Sequence, residues 1–148
     1  MRAGRLVWLL AGLMAYAPLA GALEFRSVRE TGSVLYEAPA LTAKKLFVVS
    51  RYYPVEVLST QDGWSRVRDA TGSISWMPSA ALSSQHMLLV IVDRADVRVA
   101  GSRSAAVAFS VPKNGVLQML EPPQNDWVHV RHRDGTSGYV SISDLWGL

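Results

Sequence analysis

The sequence of 148 residues contains no cysteine. A protein without cysteine forms no disulfide bond, and it cannot use a cysteine thiolate as a nucleophile or as a metal ligand. A lipid anchor attached through a first mature cysteine is excluded for the same reason. The folded state must therefore be held together by the packing of its side chains and by hydrogen bonds.

The sequence also lacks the motifs that most often carry catalysis or bind metal. It has no Gly-x-Ser-x-Gly motif for a serine nucleophile, and no pair of carboxylates stands out as suited to glycoside hydrolysis. His129 and His132 are three residues apart, so on a strand they point to opposite faces and cannot share a metal ion. The same spacing separates Asp93 from Asp96. We predict no catalytic residue, no metal site and no cofactor.

Little net charge remains once the N-terminal segment is set aside. The whole chain has fifteen Lys and Arg and twelve Asp and Glu, and Arg2 and Arg5 belong to the first 22 residues. Thirteen basic residues minus twelve acidic ones then leave +1. Because the basic residues are spread along the chain, we predict no nucleic acid as a partner.

The first 22 residues have the three-part pattern of a secretory signal peptide. Two arginines precede an apolar run over residues 6–20, and the segment ends on the small residues Ala20-Gly21-Ala22. A retained membrane helix is the alternative, but the run is shorter than the ~20 residues that a spanning helix needs and contains Pro18. We therefore predict cleavage after Ala22 and a periplasmic or secreted protein that meets the membrane only during export.

A short pattern occurs twice, 63 positions apart. Gly63–Met77 reads GWSRVRDATGSISWM, and Asp126–Val140 reads DWVHVRHRDGTSGYV. The same offset also aligns apolar residues over nearly all of residues 25–146, with a one-residue shift in the middle that places Val55 and Val57 on Leu117 and Met119. The chain therefore consists of two related units. We assign residues 23–84 to the first unit and residues 85–148 to the second.

Each unit is predicted to contain only short strands. Apolar residues alternate or cluster over four to seven positions between turn residues, and no run has the length and period of a helix. Several short strands in about sixty residues predict a small β-barrel. The expected fold class is therefore all-β, with two tandem small barrels after the signal peptide. The predicted strands are 25–29, 33–37, 45–50, 54–60, 63–69 and 73–77 in the first unit and 87–92, 96–100, 106–111, 115–121, 126–132 and 137–141 in the second.

Both units resemble the bacterial SH3-like domain family. In the second unit, residues 95–120 are similar to the family's Asn-Val-Arg start, its small-residue loop and the glycine before the next strand. Residues 126–140 are similar to its Gly-Trp-x-x-Val motif and to the later glycine, aromatic residue and valine. The first unit departs further, with Tyr53-Pro54 and Ser75 in place of two glycines. The resemblance implies two SH3-like β-barrels outside the cytoplasm, in a family that mostly binds cell-wall peptides or glycan strands.

One face of a predicted strand carries a tryptophan in both units. Trp64 and Arg66 share a face of their strand, while Val67 points to the core, and Trp127 occupies the position of Trp64 in the second unit. A hydrophobic core does not require a tryptophan on its outer side. Aromatic side chains offer a large stacking surface to sugars and peptides. Packing inside a small barrel is the preferred interpretation for Trp76 and Tyr139, and closing the rim of the barrel is the alternative for Trp64 and Trp127.

The first unit is richer in aromatic residues than the second. Val99 and Asn114 stand in the second unit at the positions of two tyrosines of the first. We therefore predict the binding groove mainly in the first unit, with Arg66 placed to meet a carboxylate. The predicted ligand-binding residues are Tyr36, Tyr52, Trp64, Arg66 and Trp76.

The predicted function is that of a non-enzymatic periplasmic binding module that recognises cell-wall peptide or glycan through this aromatic groove. Its partner would be peptidoglycan or an envelope protein. The alternative is an envelope assembly or scaffolding protein that holds a protein segment in the same groove. Because a unit of about sixty residues buries little of its own surface, we also expect the two units to pack against each other. No pattern in the sequence predicts the oligomeric state.

Overall fold

A computed structural model describes residues 22–148 of the protein. The predicted signal peptide lies outside the described residues, apart from its last residue, Ala22. No helix within residues 22–148 is long and apolar enough to span a membrane. This part of the chain folds into fourteen β-strands and two short 3-10 turns.

The first sheet is antiparallel and has seven strands. Its order is β3-β2-β6-β5-β4-β1-β7, so β3 and β7 are the two edges. A 3-10 turn at Ser79–Ala81 precedes β7. The strands are β1 (Phe25–Val28), β2 (Ser33–Tyr36), β3 (Lys45–Val49), β4 (Pro54–Gln61), β5 (Trp64–Arg68), β6 (Ile74–Pro78) and β7 (Leu82–Ser83).

The second sheet repeats the first strand for strand. Its order is β10-β9-β13-β12-β11-β8-β14, and a 3-10 turn at Ile142–Asp144 precedes its last strand. The all-β fold class predicted from the sequence is confirmed, and the sequence missed only the two-residue strands β7 and β14. The strands are β8 (Met87–Val90), β9 (Arg94–Arg98), β10 (Val107–Pro112), β11 (Val116–Met119), β12 (Trp127–Arg131), β13 (Ser137–Ser141) and β14 (Leu145–Trp146).

Each unit has its own hydrophobic core, formed by residues that alternate along the strands. In β5, Ser65 and Val67 are buried while Arg66 is exposed, as the alternation in the sequence predicts. The first core contains Val28, Leu35, Val55, Val67, Met77 and Leu82. The second core contains Leu88, Val90, Ala95, Val97, Val111, Leu117, Val128, Val130, Val140 and Leu145.

The turn between β5 and β6 is built in the same way as the turn between β12 and β13. An Asp69 carboxylate oxygen accepts hydrogen bonds from the backbone N–H of Thr71 at 2.9 Å and from its hydroxyl at 2.6 Å. Asp134 accepts the same pair of bonds from Thr136, at 2.8 and 2.6 Å. The glycines that close the two turns have φ of 89° and 92°, a conformation that glycine adopts without strain. Both turns lie where the sequence predicts them.

The first strand of the second unit has no side that faces solvent. All four residues of β8 are buried, and Leu88 and Val90 belong to the core of their own unit. The alternate residues, Met87 and Leu89, point away from that core. Because β8 contacts β1 and β4, these two side chains are buried by the first unit.

Side chains at both ends of this contact also join the two units. The ring of Phe25 lies edge-on to that of Trp146, with the ring centroids 5.3 Å apart. The hydroxyl of Ser27 donates a hydrogen bond to the backbone carbonyl of Gln85 at 2.8 Å. The two units therefore pack against each other directly.

Candidate functional site

Four of the five predicted site residues come together on the outer side of β2, β6 and β5. Tyr36 on β2 stands opposite Trp76 on β6, and Trp76 stands opposite Arg66 on β5. The ring of Tyr36 lies edge-on to that of Trp64, with the centroids 5.5 Å apart and the planes at 86°. We call the surface formed by Tyr36, Trp64, Arg66 and Trp76 the first aromatic face.

The rings of the first aromatic face partly bury one another. Tyr36 is only 7% exposed, and Trp64 and Trp76 are half-buried. An edge-to-face arrangement is a favoured geometry for two aromatic rings, so the contact between Tyr36 and Trp64 also stabilises the fold. What remains for a ligand is the exposed part of the two indoles beside the exposed guanidinium of Arg66.

Tyr52 lies far from the first aromatic face. It belongs to the turn before β4, whereas Trp64 pairs with Gln61 at the other end of that strand. The eight residues of β4, at about 3.3 Å each, separate the two ends of the strand by more than about 20 Å. Tyr52 instead lines a cleft between the two units. The structure therefore does not join it with Trp64 in one groove, contrary to the expectation from the sequence.

The second unit carries a matching aromatic surface that lines a cleft of about 170 Å³. Trp127 and His129 on β12 and Tyr139 on β13 form one side of it, and we call these three residues the second aromatic face. The rings of His129 and Tyr139 are stacked, with centroids 4.6 Å apart and an angle of 11° between the planes. Glu121 also lines the cleft, with a carboxylate oxygen 3.7 Å from Nδ1 of His129. This nitrogen is buried and has no hydrogen-bond partner among the described residues.

A different residue replaces Tyr36 in the second unit. Arg98 stands opposite Tyr139, in the position that Tyr36 has opposite Trp76. Its guanidinium is directed to a backbone carbonyl, to which it donates a hydrogen bond of 2.8 Å. The alignment at a constant offset placed Val99 at this position, which is wrong by one residue. Tyr36 and Arg98 are 62 positions apart and the pair on β6 and β13 is 63 apart, because the second unit has one more residue between β11 and β12.

A glycine completes the cleft of the second aromatic face. Gly101 lies so close to Trp127 that a Cβ atom on it would be 3.2 Å from the Cβ atom of the tryptophan. The segment that follows β9 can therefore approach the indole closely. One signal for this site is local, because His129 shares its strand face with Trp127. The contributions of Glu121 and Gly101 depend on loop positions that no local pattern reveals.

The two histidines of this region serve different surfaces. His129 lines the cleft of the second aromatic face, and His132 lines the cleft between the units, as their spacing predicts. Within residues 22–148, no cluster of three or more metal-binding side chains is present.

Both units match family models that are described as bacterial SH3 domain. One model matches residues 31–83, and another matches residues 92–147. These ranges cover most of the first and of the second sheet. The chain therefore belongs to the bacterial SH3 domain family and contains two such domains in tandem.

The chain is also similar, at low sequence identity, to solved structures of longer proteins. For NlpC2 from Trichomonas vaginalis, the identity is 19% and the TM-score 0.38, over 84% of this chain and 48% of that one. For NlpC1 from the same organism, the identity is 17% and the TM-score 0.36, over 93% of this chain and 50% of that one. For an NlpC/P60 family protein from Bacillus cereus, the identity is 14% and the TM-score 0.38, over 82% of this chain and 55% of that one. The chain thus spans about half the length of these proteins. No curated protein matches it.

Proposed function

We propose that the protein is a non-enzymatic binding protein of the cell envelope that holds cell-wall peptide or glycan on its aromatic faces. The observation that carries the proposal is the recurrence of aromatic residues at the same register positions. Trp64 and Trp127 begin equivalent strands, and on the next strand Trp76 and Tyr139 stand opposite the residues two positions further on, Arg66 and His129. Both units carry large rings at these outward positions, which supports a shared role in binding.

The second aromatic face has the chemistry for a sugar ring or a short side chain. Trp127 offers an apolar surface for stacking, and Glu121, Gln124 and Asn125 supply polar groups around the same cleft. These groups suit hydroxyl and amide partners. The cleft of about 170 Å³ is smaller than the ~300–1,000 Å³ of drug-sized pockets. The site is therefore suited to bind a single residue of a longer polymer.

The first aromatic face adds a positive charge to this recognition. Arg66 is exposed beside the two indoles and is free to meet a carboxylate of a cell-wall peptide in a charge-assisted hydrogen bond. A polymer that carries both sugars and acidic peptides offers partners for both faces.

Export and the absence of cysteine are consistent with binding in the envelope. The signal peptide predicted for residues 1–22 directs the mature chain, beginning at Leu23, to the periplasm or the medium. This chain contains no cysteine, so the cysteine-dependent chemistry of many cell-wall peptidases is not available within it.

Co-sedimentation with purified cell-wall sacculi tests the proposal. The wild-type protein and Phe47→Ala are expected in the pellet, because Phe47 is 55% exposed on β3 and belongs to neither aromatic face. Trp127→Ala is expected to stay in the supernatant while keeping the circular dichroism spectrum of the wild type. A wild-type protein that is not retained by sacculi contradicts the proposal and leaves the envelope scaffold as the alternative function.

A further inference from the structure

A concave surface lies between the two units. One part of it has a volume of about 540 Å³ and an adjoining part about 310 Å³, and Tyr52 and His132 line both. Residues 48–53 form the wall from the first unit, and residues 111–116 contribute to the wall from the second. We call this surface the inter-unit cleft. It is separate from both aromatic faces.

The inter-unit cleft is positively charged. Arg51, Arg131 and Arg133 line it, and no Asp or Glu is among its lining residues. None of the three arginines forms an ion pair with another residue of the described chain. Asp134 lies 3.2 Å from His132 at the margin, but it is already bound by its own turn. Unpaired positive charge in a concave site attracts an anionic ligand.

A comparison with the first unit shows why Arg131 carries an uncompensated charge. In the first unit, Arg68 forms an ion pair with Glu56, with Nε 2.9 Å from the carboxylate oxygen. At the same register positions, the second unit has Arg131 and Gln118. The guanidinium of Arg131 donates to the neutral amide oxygen of Gln118 at 3.0 Å. A position that neutralises an arginine in one unit therefore leaves it charged in the other, beside the cleft.

The backbone of Tyr52 gives a second indication of a binding role. Its φ is 74°, and the equivalent residue of the second unit, Asn114, has φ of 69°. Both amides donate to the last carbonyl of the first strand, from Tyr52 to Val28 and from Asn114 to Val90. Asparagine adopts this left-handed conformation readily, whereas a bulky aromatic residue rarely does. A tyrosine kept in a strained conformation with its ring at the cleft indicates a role for the ring.

Edge strands of both sheets end at the inter-unit cleft. β3 is an edge of the first sheet and β10 is an edge of the second. Val48 and Val49 from β3 and Val111 and Pro112 from β10 line the cleft. An edge strand presents unpaired backbone N–H and C=O groups, to which an extended peptide can add as a further strand.

We propose that the inter-unit cleft binds an extended acidic segment of a partner protein. The carboxylates of the segment meet Arg51, Arg131 and Arg133, and an apolar side chain packs against the ring of Tyr52. The concave, apolar walls favour a peptide chain over a flat anionic membrane, which cannot reach the floor of a cleft. This site is independent of the aromatic faces, so it stands whether or not the protein binds the cell wall.

An NMR titration of the purified protein tests this site with two synthetic octapeptides. One alternates glutamate with leucine and has blocked ends, and the other has glutamine at each glutamate. The acidic peptide is expected to shift the amide signals of residues 50–53 and 131–133, and the glutamine peptide is expected to leave them unchanged. The binding should weaken with added salt, because exposed charges are screened.

Four variants locate the binding. Arg133→Glu is expected to weaken binding of the acidic peptide about tenfold, and Gln118→Glu, which recreates the ion pair of the first unit, about fivefold. Tyr52→Asn, which installs the residue of the second unit in the same backbone conformation, is expected to weaken it about thirtyfold. Arg103→Glu is the matched control, because Arg103 is exposed and lies outside the lining of the cleft.

Several results would overturn the proposal. Equal binding of the glutamine peptide would remove the role of charge, and equal losses in Arg133→Glu and Arg103→Glu would show that only the net charge matters. Binding to phosphatidylglycerol vesicles that depends on Arg133, without peptide binding, would assign the surface to a membrane. A dimer in sedimentation experiments that dissociates in Arg133→Glu would assign it to a second copy of this chain.

Discussion

The two units have the same strand order and the same turns, but their outer surfaces differ. In the first unit, Tyr36 packs edge-on against Trp64, so that aromatic rings bury one another. In the second unit, Arg98 takes the place of Tyr36, and Trp127 lines an open cleft. The additional tyrosine of the first unit, Tyr36, is therefore almost fully buried and offers little surface to a ligand. A count of aromatic residues is for this reason a poor guide to where a groove lies.

The comparison also separates residues that make the fold from residues that make a site. Alternating buried residues on equivalent strands and an aspartate in each turn occur in both units. The differences fall on outward positions and at a few close contacts, such as Ser75 in β6 and Gly138 in β13, which pair with Val67 and Val130. Each of these differences can be exchanged between the units by mutation.

The largest effect is expected when Gly138 is given the residue of the first unit. A Cβ atom on Gly138 would lie 2.6 Å from the carbonyl oxygen of Arg98 and 2.7 Å from a methyl group of Val97, so the backbone of β9 would have to move. Gly138→Ser should lower the free energy of unfolding by about 3 kcal/mol, and Ser75→Gly by only about 1 kcal/mol. Urea denaturation measures both. Equal losses in the free energy of unfolding would show that the two sheets have the same space at this position.

Exchange of the two tryptophans for alanine should separate stability from binding. Trp127→Ala is expected to weaken binding to sacculi by about thirtyfold, the loss of about 2 kcal/mol that an aromatic anchor typically brings. Trp64→Ala removes the partner of Tyr36 and should instead lower the free energy of unfolding by about 2 kcal/mol, with a smaller loss of binding. Thermal denaturation and co-sedimentation on the same preparations give the two values. A larger loss of binding in Trp64→Ala than in Trp127→Ala would place the main groove in the first unit.

The half-buried ion pair of the first unit should contribute more to stability than the neutral pair in the second unit. Glu56 is buried, and its carboxylate accepts hydrogen bonds from Arg68 at 2.9 and 3.3 Å. Glu56→Gln should destabilise the protein by about 1–2 kcal/mol, because Arg68 loses its charged partner. Gln118→Glu should change the stability by less than about 0.5 kcal/mol, since Arg131 is exposed. A loss in Gln118→Glu as large as that in Glu56→Gln would contradict this ordering.

The smallest effect concerns the turn of Asp134 and appears only in acid. Hydrogen bonds from Thr136 lower the pKa of Asp134 from 3.8 to about 2. Because the folded pKa is lowered, the contribution of the ionised carboxylate is fully present above the unfolded value near 3.8 and is lost as the pH falls through about 2. A carbon-detected NMR titration should find the Asp134 carboxylate still ionised at pH 3, and Thr136→Val should raise its pKa. An unchanged pKa in that variant would exclude this cause.

Local patterns in the sequence were sufficient for most of the fold. Alternation in WSRVR placed Val67 in the core and Arg66 outside, and the Asp and Gly residues located both turns. These features depend on neighbours within a few residues, which is the range over which strand parity and turn preferences act. The two-residue strands β7 and β14 could not be predicted, because two residues carry no periodic signal.

The candidate site was predicted less completely because it depends on contacts between distant segments. A constant offset paired Tyr36 with Val99, whereas the longer connection before β12 makes Arg98 the true counterpart. Residue type alone groups Tyr52 with Trp64, although the whole of β4 separates them. The cleft of the second face requires Gly101 to approach Trp127, and no local rule predicts where a loop of small residues will lie.

The burial of both sides of β8 sets the distance between the two aromatic faces. If the two units separated, the apolar side chains of Met87 and Leu89 would be exposed to water. The packing of the units therefore holds the two aromatic faces at a fixed spacing. Under the proposed function, a polymer strand whose chemical repeat matches that spacing would gain a second contact at the high effective concentration of an intramolecular reaction. A strand with a different repeat would engage one face at a time and dissociate faster. The proposed binding would then depend on the period of the polymer as well as on its chemistry.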